Sequence, residues 1–125
     1  MIIHPTMTGT IDRELETCIA RTHAVTNQCY FVDINGAGDL GNGKSIVVGP
    51  EGDVIYQAGE TEQIITFEID LNRVRRAREH GTMGLGQTLK SYRDNKVEYP
   101  QYQEESPYLA KLGPLKMKAK GTARL

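Results

Sequence analysis

A glycine-rich segment between residues 35 and 45 carries the only spacing in the sequence that matches a known ligand-binding pattern. Residues 36–41 read G-A-G-D-L-G, which fits G-x-G-x-x-G, and residues 38–45 read G-D-L-G-N-G-K-S, which fits G-x-x-x-x-G-K-S. Both patterns hold phosphate on backbone N–H groups at the start of a following helix. Here residues 46–50 read I-V-V-G-P, which predicts a strand instead. The segment is therefore interpreted as a flexible hairpin connection, with nucleotide binding through Gly38–Ser45 as an alternative.

The other side chains that could do chemistry are isolated from one another. Cys18 falls within a predicted helix and Cys29 opens a predicted strand, so both are interpreted as core thiols rather than nucleophiles. His4, His23 and His80 are far apart and show no metal-ligand spacing. The residues alone assemble no catalytic set, and neither a cofactor nor a metal is expected.

One long amphipathic helix is predicted over residues 10–27. Its apolar positions recur at helical spacing, at Ile11, Leu15, Cys18, Ile19, Thr22 and Val25. This periodicity predicts that these residues face the core and that Asp12, Arg13, Glu16 and Thr17 face the solvent.

Shorter elements follow, and together they predict an α+β fold. Residues 1–6 are predicted to end a buried strand, and four further strands are predicted at 29–34, 44–48, 54–56 and 63–70. A short helix over 71–80 is expected to be capped by Asp70 or Asn72 and closed by Gly81. Leu85, Leu89 and Tyr92 are spaced for one further helical turn. An irregular extension, residues 81–125, completes the predicted division of the chain.

Composition restricts the class of protein. The chain has 125 residues and a net charge of −1, which suits one domain and argues against a broadly basic nucleic-acid binder. No apolar run approaches the roughly 18 residues that span a membrane. Two cysteines 11 positions apart make no disulfide framework, so a cytoplasmic location is expected.

The C-terminal tail is strongly basic. Residues 111–125 hold five basic residues and no acid, which leaves a net charge of −6 on the rest of the chain. This tail is predicted to be flexible and solvated, with contact to an anionic partner or a neighbouring subunit as the alternative.

The order of several segments resembles the carbon–nitrogen hydrolase (nitrilase) family. Residues 20–32, A-R-T-H-A-V-T-N-Q-C-Y-F-V, are similar to that family's R-A-R-A-x-E-N-x-x-Y-V-V passage. Residues 43–54 resemble its G-x-S-x-I-x-x-P-x-G-x-V hairpin, and residues 59–78 resemble its G…E…E-x-D-L-x-x-V-R-x-A-R strand and helix. Ile2 to Thr6 also fit the family's strand that ends in P-T.

This resemblance implies a fold and an activity. It implies the C-terminal part of an αββα sandwich, with residues 1–80 as a partial domain. The family hydrolyses nitriles, amides and carbamoyl groups with a Cys nucleophile, a Glu base and a Lys that stabilises the tetrahedral intermediate. All three are expected upstream of residue 1, and no C-x-D-x-x-F-P-E elbow occurs in this sequence. The chain alone is therefore predicted to be inactive.

The resemblance also implies a site and partners. It places Pro5, Thr6, Met7, Asn35 and Gly36 in the wall of the substrate pocket, with a turn or capping role for the Thr6 hydroxyl as the alternative. It places a dimer interface on helix 10–27 and the tail after Gly81. A homo-oligomer or a complementary catalytic half is expected, with a small amide or nitrile as substrate once the enzyme is complete. A non-catalytic oligomerisation module built on the same half-fold stays the rival hypothesis.

Overall fold

The computed structural model describes residues 1–95, 98 and 110–114. Residues 1–95 form one compact unit and residues 96–125 form another. Within the second unit the described residues are exposed. The prediction of a flexible basic tail falls mostly outside the described residues, and the predicted boundary between 80 and 81 stays a prediction.

The first unit contains a four-stranded sheet in the order β1-β2-β3-β4. Its strands are β1 (Ile2–Thr6), β2 (Phe31–Asn35), β3 (Ile46–Val48) and β4 (Val54–Gln57). β1 is parallel to β2, whereas the β2–β3 and β3–β4 pairs are antiparallel. β1 is outermost in the described sheet and largely exposed, so the prediction of a buried strand there is wrong. Its outer position accommodates Pro5, which has no N–H for a second ladder.

Helix α1 (Asp12–Asn27) connects the two parallel strands and covers one face of the sheet. Ala20 and Ala24 form the core there with Phe31, Ile46 and Val48. Alanines have small side chains, so the helix backbone lies close to the sheet. Gln28 ends the helix in the left-handed conformation at φ 48°.

The predicted buried face of α1 is wrong. Ile11 is 94% exposed, and Leu15, Ile19 and Cys18 are also exposed, whereas Arg13, Thr17, Ala20 and Ala24 are buried. The buried face combines the small residues Ala20 and Ala24 with Arg13, whose guanidinium has hydrogen-bond partners on β2 and at Lys44. An apolar stripe consequently faces outward on α1.

The predicted strand at 63–70 is also wrong, although its side-chain alternation is real. Residues 61–70 form no strand, yet residues 65, 67 and 69 are half-buried while 64, 66 and 68 are exposed. One side of the segment thus lies inward, but it has no ladder partner among the described strands.

Two further helices, α2 (Leu71–His80) and α3 (Thr88–Asp94), complete this unit. The Asp70 side chain accepts a hydrogen bond from the Asn72 N–H, and Gly81 ends α2 at φ 64°, which confirms both predicted caps. The Asn72 hydrogen bond lowers the pKa of Asp70, with a smaller contribution from Arg76. α3 contains Leu89 and Tyr92 of the further helical turn that the sequence predicts, whereas Leu85 precedes the helix and forms a bridge with Thr82. Within the described residues no helix is long and apolar enough to cross a bilayer.

Candidate functional site

Two loops leave the sheet side by side at the carboxyl ends of β1 and β2. Thr6 and Asn35 are register partners at the last position of the two strands, and the Gly36 N–H donates to the Thr6 carbonyl at 3.2 Å. In sheets with parallel strands, ligands bind outside the carboxyl ends. We call residues 6–10 the first loop and residues 36–43 the second loop.

The five predicted pocket-wall residues occupy different environments around these loops. Thr6, Asn35 and Gly36 are in mutual contact through the hydrogen bonds of the loop base. Pro5 pairs with Ile34 inside the sheet, and Met7 is exposed in the first loop. Their contact with substrate stays a prediction. Thr6 Oγ1 donates to Asn35 Oδ1 at 3.1 Å, and a turn or capping role for this hydroxyl also stays a prediction.

Asn35 is the centre of the hydrogen bonding at this edge. Its side chain is buried, and Oδ1 accepts from the Thr8 N–H at 2.7 Å. Nδ2 lies 2.8 Å from the Gly43 carbonyl, 2.9 Å from the Thr8 carbonyl and 3.1 Å from Asn42 Oδ1. The Asn35 backbone is held as well, since its N–H donates to Ser45 Oγ at 3.0 Å. The single amide therefore joins both loops to the sheet.

The second loop does not form a phosphate cradle. Its N–H groups donate to carbonyls of the protein, from Gly41 to Gly38, from Asn42 to Thr8 and from Gly43 to Gly36, and the N–H of the following Lys44 donates to Gly59. A phosphate-binding loop needs these N–H groups for the anion and a helix directly behind them. A strand rather than a helix follows the loop, as the sequence predicts, although β3 begins at Ile46 and not at Lys44. This geometry gives no support to nucleotide binding through Gly38–Ser45.

Lys44 belongs to an ion pair rather than to a ligand site. Its Nζ lies 2.7 Å from Glu14 Oε1 and 3.9 Å from Glu60 Oε1. The hydrogen bond and charge of Glu14 raise the pKa of Lys44, and Lys44 lowers the pKa of Glu14 in return. Lys44 also has a positive φ of 57°, which is uncommon for a residue with a side chain.

A buried charge cluster lies beneath the two loops. The Arg13 guanidinium, on a side chain only 1% exposed, donates to Asp33 Oδ2 at 2.8 Å and to Glu16 Oε2 at 3.0 Å. It also donates to the carbonyls of Gly43 at 3.2 Å and Lys44 at 2.7 Å. Arg13 thereby fixes the end of the second loop against α1.

The cluster extends to the first loop and to β1. Thr8 Oγ1 donates to Glu16 Oε1 at 2.7 Å, and His4 Nδ1 lies 3.3 Å from Asp33 Oδ1. Sequence periodicity misses this cluster, because it places Arg13 and Glu16 in solvent. The signal that could have revealed it is Asp33, an acid within a predicted apolar strand that needs a cationic partner when buried.

A cavity of about 420 Å³ lies beside the second loop. Asn35 is the one predicted pocket-wall residue that lines it. The other lining residues are mainly apolar and include Val32, Ile34, Ala37, Leu40, Val47, Ile65 and Phe67. Polar side chains also line the cavity, at Asp33, Ser45, Thr61, Glu62 and Gln63, and small-molecule pockets combine an apolar wall with polar groups in this way.

Neither thiol lies in this site. Cys18 is exposed on α1 and is therefore not the predicted core thiol, whereas Cys29 is buried as predicted. Among the described residues, no three His, Cys, Asp or Glu side chains are grouped as metal ligands.

Comparison with known proteins identifies the family of this chain. The model of the carbon-nitrogen hydrolase family matches residues 6–79, which is more than half of the chain. The chain belongs to the carbon–nitrogen hydrolase family. The match runs from the first loop to the end of α2 and so covers both loops, Arg13 and Asn35. The family resemblance read from the sequence is confirmed.

Related proteins agree with this assignment. The "Hydrolase in agr operon" of Staphylococcus aureus is 32% identical over 66 residues, which are 50% of this chain and 25% of that protein. Omega-amidase NIT3 of Saccharomyces cerevisiae is 37% identical over 75 residues, 55% of this chain and 26% of the yeast protein. The chain thus spans about a quarter of the length of these curated relatives.

A solved structure supports the fold. The crystal structure of S. cerevisiae Nit3, described as a member of branch 10 of the nitrilase superfamily, matches with a TM-score of 0.57 and 35% identity. The match covers 62% of this chain and 31% of that chain. The predicted α+β fold, a portion of the nitrilase-like architecture, is confirmed.

Proposed function

We propose that this chain is the C-terminal part of an enzyme that hydrolyses non-peptide carbon–nitrogen bonds. The catalytic Glu, Lys and Cys of the family would lie outside these 125 residues and upstream of them. The chain's own task would be to build one wall of the substrate pocket from the first and second loops. The observation that carries this proposal is the family match over residues 6–79, which includes the two loops held together by Asn35.

An amide is the substrate class we favour. The support is the similarity to an omega-amidase, at 37% identity over 75 residues. In an amide hydrolysis of this kind, a thiolate attacks the carbonyl carbon, ammonia leaves, and water releases the acid from the thioester. The residues of this chain would orient the acyl portion of the substrate, while the attacking and proton-transferring groups come from the catalytic portion.

The test is an amidase and nitrilase assay of the purified 125-residue chain. We expect no turnover of simple amides or nitriles. Turnover that persists in the double variant Cys18→Ala/Cys29→Ala would contradict an upstream nucleophile, and turnover lost in that variant would contradict it equally by placing the nucleophile within the chain.

A homo-oligomer, or a complex with a complementary catalytic half, is part of the proposal. The outward apolar stripe of α1, formed by Ile11, Leu15 and Ile19, supports a protein partner on that face. The same stripe favours the rival hypothesis, a non-catalytic oligomerisation module.

The free thiols of Cys18 and Cys29 support the cytoplasm as the compartment.

A further inference from the structure

We propose that Asn35 is a positioning residue that couples the first and second loops into one rigid wall, so that neither loop moves without the other. The mechanical coupling is a property of this chain by itself. Its consequence for substrate binding rests on the proposed function.

The Asn35 side chain makes three contacts with the first loop, one of them from Nδ2 to the Thr8 carbonyl at 2.9 Å, and two with the second loop. Toward the first loop, Oδ1 accepts from Thr6 Oγ1 at 3.1 Å and from the Thr8 N–H at 2.7 Å. Toward the second loop, Nδ2 faces the Gly43 carbonyl at 2.8 Å and Asn42 Oδ1 at 3.1 Å. The residue is only 6% exposed, so these bonds have little competition from water.

A neutral amide presents an acceptor to one side of this arrangement and N–H donors to the other. The oxygen side of Asn35 meets two donors, and the nitrogen side meets three oxygen acceptors, those of Thr8, Asn42 and Gly43. An aspartate has the same shape but presents a carboxylate oxygen to those acceptors. Its protonated form regains one O–H donor. Any loosening of the loops in Asn35→Asp should therefore decrease at low pH, where the new carboxyl group is protonated.

The glycine content of the second loop explains why the hydrogen bonds of Asn35 are needed to hold it in one conformation. The second loop contains glycines at 36, 38, 41 and 43, so its backbone has much conformational freedom to lose. Direct bonds between the loops, from Gly36 N–H to Thr6 and from Asn42 N–H to Thr8, support the same geometry. Asn35 adds a buried tie between them, and a pocket wall held in this way is preorganised for its ligand.

The test is hydrogen–deuterium exchange of the full 125-residue chain, comparing wild type, Asn35→Asp, Asn35→Ala and the matched control Asn27→Asp. Asn27 is an exposed residue of α1 whose Nδ2 donates to the His23 carbonyl at 2.9 Å. At pH 7 we expect Asn35→Asp to accelerate exchange about tenfold or more in both loops, the equivalent of one lost buried hydrogen bond. Asn27→Asp should leave both loops at the wild-type rate.

The pH dependence separates coupling from a loss of packing. After correction for intrinsic exchange, protection of both loops in Asn35→Asp should return in part near pH 4, whereas Asn35→Ala should show no recovery relative to wild type. Loosening of only one loop, wild-type exchange in Asn35→Asp at pH 7, or a defect that ignores pH would each overturn the proposal.

A second variant covers the case in which Asn35→Asp fails to fold. Thr6→Val removes one donor to Asn35 at nearly constant volume, and coupling predicts faster exchange in the second loop as well as the first. A response confined to residues 6–10 would overturn the coupling. Hydrogen exchange does not depend on turnover. The coupling of the loops can therefore be tested whatever the hydrolysis assays show.

Discussion

The guanidinium of Arg13 and the carboxylate of Asp33 form a buried ion pair, with Arg13 Nη1 2.8 Å from Asp33 Oδ2 and exposed side-chain fractions of 1% and 2%. The pair joins α1 to the second strand of the sheet, and the remaining Arg13 donors reach the carbonyls of Gly43 and Lys44. A single side chain thus connects the helix, the sheet and the second loop.

Replacement of Arg13 by methionine should destabilise the fold strongly. Asp33 would lose its cationic partner in a buried site, which typically costs about 3–5 kcal/mol in free energy of unfolding. Urea denaturation followed by circular dichroism measures this difference. The control is Arg76→Met, which removes an exposed pair with Asp70 and should stay close to wild type. Equal effects of the two substitutions would contradict the structural role of Arg13.

Two glycines of the second loop should respond differently to alanine. Gly38 and Gly43 have φ of 62° and 64°, but a Cβ on Gly38 meets nothing within 4 Å, whereas one on Gly43 would lie 2.5 Å from the Gly59 carbonyl oxygen. We expect Gly38→Ala to cost about 1 kcal/mol, from backbone strain alone. Gly43→Ala should cost a further 1–3 kcal/mol or so, because the backbone of residue 59 must move. Similar midpoints in denaturant for both variants would refute the close approach of the loop to residue 59.

The Glu14–Lys44 pair should make a pH-dependent contribution to stability. The lowered pKa of Glu14 means that its contribution is present above the unfolded value near 4.5 and is lost as the pH falls through the folded value. The raised pKa of Lys44 means that its contribution is present below 10.5 and is lost as the pH rises through the folded value. The stability difference between wild type and Lys44→Met should therefore be largest near neutral pH and shrink toward both extremes. It should also fall at high salt, since both groups are accessible to solvent. A difference that is constant with pH would argue against the pair.

The apolar stripe of α1 should control self-association. Leu15→Lys and Ile19→Lys place charge on the outward face, and each should shift the chain toward a smaller species in multi-angle light scattering. Ile64→Lys makes the same change at a residue that is 99% exposed in the segment between β4 and α2, and it should leave the mass unchanged. A wild-type chain that is monomeric at all concentrations would remove the homo-oligomer from the proposal.

In this chain, local sequence patterns predict well where helices and strands occur, but they predict poorly which of their side chains are buried. α1, α2 and its caps, and the strands of the β2–β3–β4 meander follow from periodicity, turn residues and β-branched runs. The buried face of α1 does not follow, because the partners of Arg13 lie about 20 and 30 residues further along the chain. Counting apolar residues ranks Ile11 above Arg13 for burial, and the structure reverses that order.

The segment at 63–70 shows a related limit. Alternation in its sequence correctly indicates which side chains turn inward, but a strand also requires a neighbour with free backbone groups. That neighbour is a tertiary property and leaves no local signal. Asn35 is predicted as a pocket-wall residue by resemblance alone, whereas its role as a hydrogen-bond centre depends on Thr8, Asn42 and Gly43, which only the folded chain brings together.

The most direct test of the account is a graft of residues 6–79 into the matching segment of the yeast omega-amidase. This segment carries the family match and is the part proposed to build the pocket wall. We predict that the folded graft hydrolyses the amide substrate of the parent enzyme, with an altered KM, and that replacement of the cysteine expected as nucleophile from the family resemblance abolishes turnover. A graft that folds and assembles as the parent does but hydrolyses no amide would contradict the central claim.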